Sequence, residues 1–207
     1  MSSTAILDEL DENLIERDPI RQFQTWFSDA QAAKLPLPDA MTLATATPEG
    51  RPSARMVLLK QVDDNGFVFF TNYRSAKAAQ LDANPYAALV FYWAQFDRQV
   101  RVEGSVARTS AEESAAYFQM RPRESQIGAW ASPQSEVISA RSVLEERARD
   151  LEKQYCEREV DCPEYWGGYR LKPDRIEFWK SRPGRLHDRL LYERNAEGGW
   201  TIKRLAP

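Results

Sequence analysis

Arg175-Ile-Glu-Phe-Trp-Lys-Ser-Arg-Pro-Gly-Arg-Leu-His-Asp-Arg-Leu-Leu-Tyr-Glu-Arg194 is the stretch on which the reading of this chain turns. Two segments rich in β-branched, aromatic and alternating polar residues flank Pro183-Gly184, a turn signal, so the stretch reads as two strands joined by a turn. On a strand over 185–194 the period of two puts Arg185, His187 and Arg189 on one face and points Leu186 and Leu190 toward a core. Three side chains able to carry positive charge then line one face, which suits an anion or an electron-rich ring. His187, the single histidine of the chain, sits in the middle of them. On the preceding strand Trp179 shares a face with Glu177, either as a core aromatic or as a flat partner for a flat ligand.

Upstream and downstream the pattern continues. Strands are expected over 166–171, 175–180, 185–194 and 200–205, separated by Pro173-Asp174, Pro183-Gly184 and Gly198-Gly199. In the first half, 41–47, 53–60, 67–71, 86–93 and 99–107 read as strands, with Asp63-Asp64-Asn65-Gly66 as a hairpin turn. The apolar run of 86–93 reads as a central strand. Helices are expected over 19–34, where Asp18-Pro19 supplies an N-cap and a proline at N1, and over 76–83 after Ser75. Two more are expected over 111–120 after the capping box Ser110-Ala-Glu-Glu113, and over 139–157. Hairpin joins imply antiparallel pairing, and a twisted antiparallel sheet of about eight strands tends to close into a barrel. The expected class is α+β, with a mobile acidic tail over 1–17 and a single domain over 18–207.

Composition narrows the functional classes. The net charge is −3, so no overall basic field draws the chain to nucleic acid. The longest apolar run, 86–94, is about half of the roughly 18–20 residues that span a membrane. The acidic first residues lack the pattern of a signal peptide. Cys156 and Cys162 are too few for a disulfide framework or a zinc site and read as free thiols in a reducing cytosol. No G-x-G-x-x-G follows a strand and no G-x-x-x-x-G-K-S/T is present, so a bound phosphate must be held by side chains. One histidine and no G-x-S-x-G argue against a serine hydrolase, and no metal-ligand spacing is visible. An organic cofactor doing the chemistry, with the protein supplying cations and dipoles, fits best.

The cations fall into groups. Arg55, Lys60 and Lys77 border the first hairpin, near Thr71 and Ser75, a set matched to a phosphate dianion. Any one of them alone is better read as a solubilising surface charge. Arg55 and Lys60 differ by an odd number, so they serve one ligand only through a bulge or if Lys60 reaches round from the strand end. Tyr117, Arg121, Arg123 and Ser125 form a second group, for which interaction of arginine with a helix C-terminus is the plain alternative.

Several segments together resemble the pyridoxine (pyridoxamine) 5′-phosphate oxidase family from about Asp18 to Pro207. They are Arg55-Met-Val-Leu-Leu-Lys60, Phe70-Thr-Asn72, Arg98-Gln-Val100, Arg121-Pro-Arg-Glu-Ser-Gln-Ile-Gly-Ala-Trp130, Gln134-Ser135, Trp166-Gly-Gly168, Ile176-Glu-Phe-Trp179, Arg185-Leu-His-Asp-Arg189 and Arg204-Leu-Ala-Pro207. The resemblance implies a split β-barrel homodimer with FMN in two clefts at the dimer interface, in the cytoplasm. It implies that Arg55, Met56, Val57, Leu58, Leu59, Lys60, Phe70, Thr71 and Lys77 hold FMN from one side. Gln99, Gln134, Ser135, Trp179 and Arg189 also contact it, some of them from the second subunit. Lys60, Tyr117, Arg121 and Ser125 take the phosphate of a phosphorylated B6 vitamer, and Arg185 and His187 lie against its pyridine ring as the catalytic pair. The implied reaction oxidises C4′ by hydride transfer to the flavin, with dioxygen as acceptor and hydrogen peroxide as product. Where the family carries an Arg or Gln before the lysine of the Ser-x-Lys segment, this chain has Ala76, which removes one phosphate contact unless Arg74 substitutes. The acidic tail lacks the Arg and Tyr that fold over the substrate in some members. A related flavin oxidase of another aromatic substrate, of phenazine-precursor type, and a non-catalytic flavin or pyridoxal-phosphate carrier remain as alternatives.

Overall fold

A computed structural model describes residues 10–156 and 158–207 of the chain. The elements are α1 (Pro19–Ala32), β1 (Ala40–Ala46), β2 (Pro52–Leu58), β3 (Gln61–Asp63), β4 (Gly66–Asn72), α2 (Ala76–Ala83), β5 (Tyr86–Trp93), β6 (Arg98–Arg108), α3 (Ala111–Gln119), α4 (Arg123–Ala131), α5 (Ser142–Tyr155), β7 (Trp166–Lys180), β8 (Asp188–Arg194) and β9 (Trp200–Arg204). The strands form one antiparallel sheet in the order β2-β1-β5-β6-β7-β4-β3, with β8 added to β7 and β9 to β8.

The sheet divides at β7. Two strands expected over 166–171 and 175–180 are one continuous strand whose partner changes along its length. Trp166 to Leu171 pair with β4, Arg175 to Lys180 pair with β8, and β6 runs along the other edge throughout. Pro173, which has no N–H to give to a ladder, sits at the changeover. The register on β6 shifts there between Glu103 and Gly104. A Cβ on Gly104 would lie 2.0 Å from the Lys172 carbonyl oxygen, so only glycine admits this approach. The chain therefore reads through a proline that looks like a strand break in one dimension, and the barrel is split at that point.

Helix α1 fills the inner side. The Asp18 carboxylate accepts the Ile20 amide at 2.8 Å and Pro19 starts the helix. Fully buried Phe23 meets Phe67 and Phe91 edge-on at 4.9 and 4.8 Å, and Trp26 meets Phe178 at 5.2 Å. A second, smaller core joins Phe118, Ile127, Tyr155, Val160 and Trp166 under α3, α4 and α5. Helix α4 was not foreseen from the sequence. Pro122 both ends α3 and caps α4, and Gln126 returns a hydrogen bond to the Phe118 carbonyl at 3.0 Å. Arg123 donates to the carbonyls of Cys156 and Arg158 beyond α5, so its work is structural.

Two further expectations change. Residues 185–194 are not all strand: a single 3-10 turn covers Pro183–Arg185 and β8 starts only at Asp188. Gly184 and Arg185 both have left-handed backbones, with φ of 67° and 62°. Leu186 is consequently exposed rather than core, while Leu190 is buried as expected. Of the expected mobile tail over 1–17, residues 1–9 lie outside the described residues. Residues 10–17 are docked: Leu10 is buried, the Tyr192 hydroxyl donates to the Glu16 carbonyl at 2.8 Å, and Arg204 pairs with Glu12. No helix among the described residues is long and apolar enough to cross a membrane.

A cationic cavity as candidate active site

A cavity of about 300 Å³ opens between β2, β4, α2 and the end of α3. Met56, Val57, Leu58 and Lys60 line it from β2 and the residues just after it. Phe70, Thr71 and Lys77 line it from β4 and α2, and Tyr117, Arg121, Gln134 and Trp166 close it. Ten residues assigned by resemblance to cofactor or substrate thus meet in one place, although they come from chain positions 56 to 134. β2 ends at Leu58, so Lys60 is free of the strand's alternation and reaches the cavity from the strand end.

One side of the cavity is an anion cradle. The Lys77 ammonium donates to Gln134 Oε1 at 2.6 Å, to Thr71 Oγ1 at 3.1 Å and to Ser75 Oγ at 3.4 Å. Thr71 Oγ1 donates to the same Gln134 oxygen at 3.0 Å. Ser135, with a left-handed φ of 75°, accepts the Ala76 amide at 3.2 Å and so ties the loop after α4 to the start of α2. Burial lowers the Lys77 pKa, and the nearby Arg55 charge lowers it further. A nearby anion would act in the opposite direction and favour the charged ammonium. Arg55 itself bonds Thr45 Oγ1 and Ser53 Oγ at 2.6 Å and Gln80 Oε1 at 3.2 Å, and does not line the cavity. Arg74 lies over the Tyr165 ring at 4.4 Å, so it does not replace the contact that Ala76 lacks.

The other side is aromatic. Phe70 stacks on Tyr117 at 4.0 Å and on Trp166 at 5.3 Å, all three rings nearly parallel. The Arg121 guanidinium rests over Trp166 at 4.7 Å. Its Nη1 is buried and has no hydrogen-bond partner among the described residues. Burial lowers the Arg121 pKa. Lys60 is held by Asp39 at 3.0 Å. Ser125, in the first turn of α4, and Leu59, buried beside the strand end, are outside the cavity lining.

Gln99, Trp179 and Arg189 are elsewhere on the same chain, as direct cross-strand neighbours on β6, β7 and β8. Glu177 grips Arg189 through two bonds of 2.8 and 3.1 Å and takes a third from Arg101 at 3.2 Å. His187 lies 4.7 Å from the Trp179 ring, and its Nδ1 accepts the Arg182 amide at 3.1 Å, which leaves the proton of the neutral ring on Nε2. Arg185 is exposed on the turn. Arg185 and His187 both precede β8, so strand alternation sets the face of neither, and of the three only Arg189 stands on the strand. The pairings Met56–Thr42–Val90–Arg101–Glu177 cross the sheet, so both groups share one face of it, the cavity at one end and the Trp179–Arg189 row at the other. That face also exposes the large side chains Met56, Leu58, Tyr86 and Tyr92 among its charged and polar residues.

Sequence reasoning passed over three residues at these places: Trp166, Asp39 and Glu177. Trp166 had a signal, since it opens the Trp166-Gly-Gly168 segment. Asp39 had none, because its partner is 21 residues away and no period links them. Among the described residues no group of His, Cys, Asp and Glu could hold a metal ion.

A split antiparallel barrel with a cationic cavity beside one sheet face defines the class: a split-barrel protein with a site suited to an anionic ligand. Two family models agree with that description. One, described as pyridoxamine 5′-phosphate oxidase, matches residues 27–155, and the other, the C-terminal dimerisation region of pyridoxine 5′-phosphate oxidase, matches residues 166–207. The chain belongs to the pyridoxamine 5′-phosphate oxidase family. It is 59% identical over 97% of its length to the pyridoxine/pyridoxamine 5′-phosphate oxidase of Paraburkholderia phytofirmans, covering 94% of that protein. It is 54% identical, over 96% of its length and 92% of the relative, to the enzyme of the same name from a Cyanothece species. Among solved structures, PhzG of Burkholderia lata, in complex with tetrahydrophenazine-1-carboxylic acid, superimposes with a TM-score of 0.89 at 30% identity, covering 94% of this chain and 95% of that one. An FMN-binding protein of Nostoc punctiforme related to pyridoxamine 5′-phosphate oxidase shares the fold, with a TM-score of 0.73 at 20% identity, covering 92% and 98%.

Proposed function

We propose that this protein oxidises pyridoxine 5′-phosphate or pyridoxamine 5′-phosphate to pyridoxal 5′-phosphate, with FMN as cofactor, dioxygen as acceptor and hydrogen peroxide as product. The observation that carries the reading is the buried, unbonded Arg121 Nη1 in the same cavity as the desolvated Lys77. A buried charged donor without an acceptor is costly, and a phosphate oxygen is the acceptor that matches an arginine fork.

The donor set also fits the cofactor. Lys77, Thr71, Ser135 and the start of α2 supply the charge and hydroxyl donors for the FMN phosphate, while Met56, Val57 and Leu58 offer an edge of backbone and apolar side chain. Bound there, FMN supplies the two-electron acceptor and its reoxidation by dioxygen. Lys60, Tyr117, Arg121 and Ser125 take the substrate phosphate. Arg185 and His187 orient the pyridine ring and hold its changing charge, with the His187 proton on Nε2. Stacked rings around Phe70 exclude water. Since the cavity and the Trp179–Arg189 row share one sheet face, a second copy laid against that face across a two-fold axis would complete each site with the partner's row.

Purified protein incubated in air with pyridoxamine 5′-phosphate should form the aldehyde and release ammonia. No product from protein fully loaded with FMN overturns the reading. The likeness to PhzG supports a second reading, oxidation of a reduced tricyclic carboxylate. The phosphate-matched cradle and the 54–59% identity to the B6 enzymes favour the first. Turnover of dihydrophenazine carboxylate without turnover of the vitamer would reverse that order.

A further inference from the structure

We infer that Trp166 is the positioning residue that makes this site selective for a phosphorylated ring: it holds the Arg121 guanidinium over its indole and leaves Nη1 unbonded for the phosphate. The inference rests on the proposed role of Arg121 as a phosphate ligand.

The three cavity cations are held in three different ways. Lys60 is paired with a carboxylate, Asp39, at 3.0 Å. Lys77 is held by neutral oxygens of Thr71, Ser75 and Gln134. Arg121 rests on rings: Trp166 at 4.7 Å and Phe118 at 5.6 Å. A carboxylate partner would neutralise the guanidinium and compete with the incoming phosphate. An aromatic face attracts the cation through its quadrupole and uses none of its N–H groups. The ring thus orients Arg121 without consuming its donors, and the buried Nη1 remains unbonded.

Trp166 is itself immobilised. Its backbone amide donates to the Pro163 carbonyl at 2.9 Å, and the residue pairs with Asn72 on β4. Phe118 meets the indole edge-on at 5.0 Å and Phe70 stacks on it at 5.3 Å. The side chain is 7% exposed. A ring fixed on several sides fixes the guanidinium lying on it, so little conformational entropy is left for phosphate binding to remove. An unphosphorylated vitamer gains nothing from this arrangement and must leave the Arg121 Nη1 buried and unbonded.

The test is calorimetric titration of FMN-loaded protein with 4-deoxypyridoxine 5′-phosphate, whose C4′ methyl group is not oxidised, and with 4-deoxypyridoxine. Arg121→Met should weaken the phosphorylated probe at least about tenfold. Trp166→Leu should weaken it about fivefold, and Trp166→Phe, which keeps a ring face, by less than about twofold. Neither Trp166 variant should change the affinity for the unphosphorylated probe or the FMN content. In the Arg121→Met background Trp166→Leu should add nothing, because its effect passes through the arginine. Equal weakening of both probes, or an undiminished effect in the Arg121→Met background, would show a merely structural tryptophan and overturn the inference. Full affinity in Arg121→Met would instead remove the phosphate role itself and the inference with it. If Trp166→Leu does not fold, Trp166→Met, a flexible apolar chain without a ring, carries the same expectations.

Discussion

The Lys77 ammonium donates to the Gln134 side-chain oxygen at 2.6 Å, which ties α2 to the loop after α4 across the mouth of the cavity. Neither partner is an anion, so the pair concentrates positive charge rather than cancelling it. Lys77→Ala should therefore weaken FMN at least about tenfold, the value of one charge-assisted hydrogen bond. At saturating FMN the turnover should change far less. Fluorescence titration of the FMN-free protein measures the first and aldehyde formation the second.

Arg185 should behave in the opposite way. It holds a left-handed backbone with φ of 62°, an unusual conformation for a side chain as long as arginine, next to His187. Arg185→Ala should lower turnover by about a hundredfold through lost orientation of the ring, while FMN affinity stays within about threefold. If both variants lose the yellow cofactor equally, the division into a phosphate end and a ring end is wrong.

Ala76 invites a gain of function. Its amide already bonds Ser135 at 3.2 Å, and its methyl group is exposed at the first turn of α2, beside Lys77. Ala76→Arg should restore a charge-assisted contact to the FMN phosphate and tighten binding about tenfold. Unchanged affinity would mean that the existing donors already saturate the phosphate.

Acid stability should depend on Asp188, which accepts from Arg182 at 2.6 Å and Arg204 at 2.8 Å. Burial pushes its pKa up, but the two arginines outweigh burial and hold the carboxyl below its ordinary value. A carboxyl depressed in the folded state stabilises at every pH above its unfolded value of about 3.9, and that stabilisation is lost as pH falls through the folded value. Melting temperature should thus be insensitive to this group at neutral pH and fall below about pH 4. Asp188→Asn should lower the melting temperature at pH 7 by several degrees, at roughly 2–4 °C per kcal/mol for a chain of this size, and flatten the acid slope. Differential scanning calorimetry between pH 3 and 7 decides it.

Much of the fold was legible because it rests on local chemistry. Asp18-Pro19 and Ser110 cap their helices as read, and the 63–66 segment turns its hairpin, with Asp64 and Asn65 in the loop and Gly66 supplying the positive φ. The five strands expected in the first half fall within a residue or two of their ends, but the short β3 was not foreseen, and it, not 53–60, is the hairpin partner of β4. Reading failed where a local signal had two outcomes. Pro173 looked like a break, yet β7 runs through it because Gly104 lets β6 follow the shift. Pro183-Gly184 looked like a two-residue turn, yet the left-handed backbone continues into Arg185 and delays β8 to Asp188. Pro122 looked like a stop and is also a start.

By itself the sequence determined the elements, their caps and turns, the antiparallel pairing implied by short joins, and the identities of the cavity residues through their motifs. These depend on neighbours within a few positions. Only the tertiary structure decided which cations face an open cavity and which are already engaged. Lys77 and Arg121 line the cavity without a carboxylate partner among the described residues, whereas Lys60 lines it paired with Asp39, and Arg189 is gripped by Glu177 outside it. It also separated the Trp179–Arg189 row from the cavity along one face of the sheet. The physical reason is that charge pairing and burial are set by distance in space, and residues that the chain separates by tens to more than a hundred positions meet only once the sheet has curled.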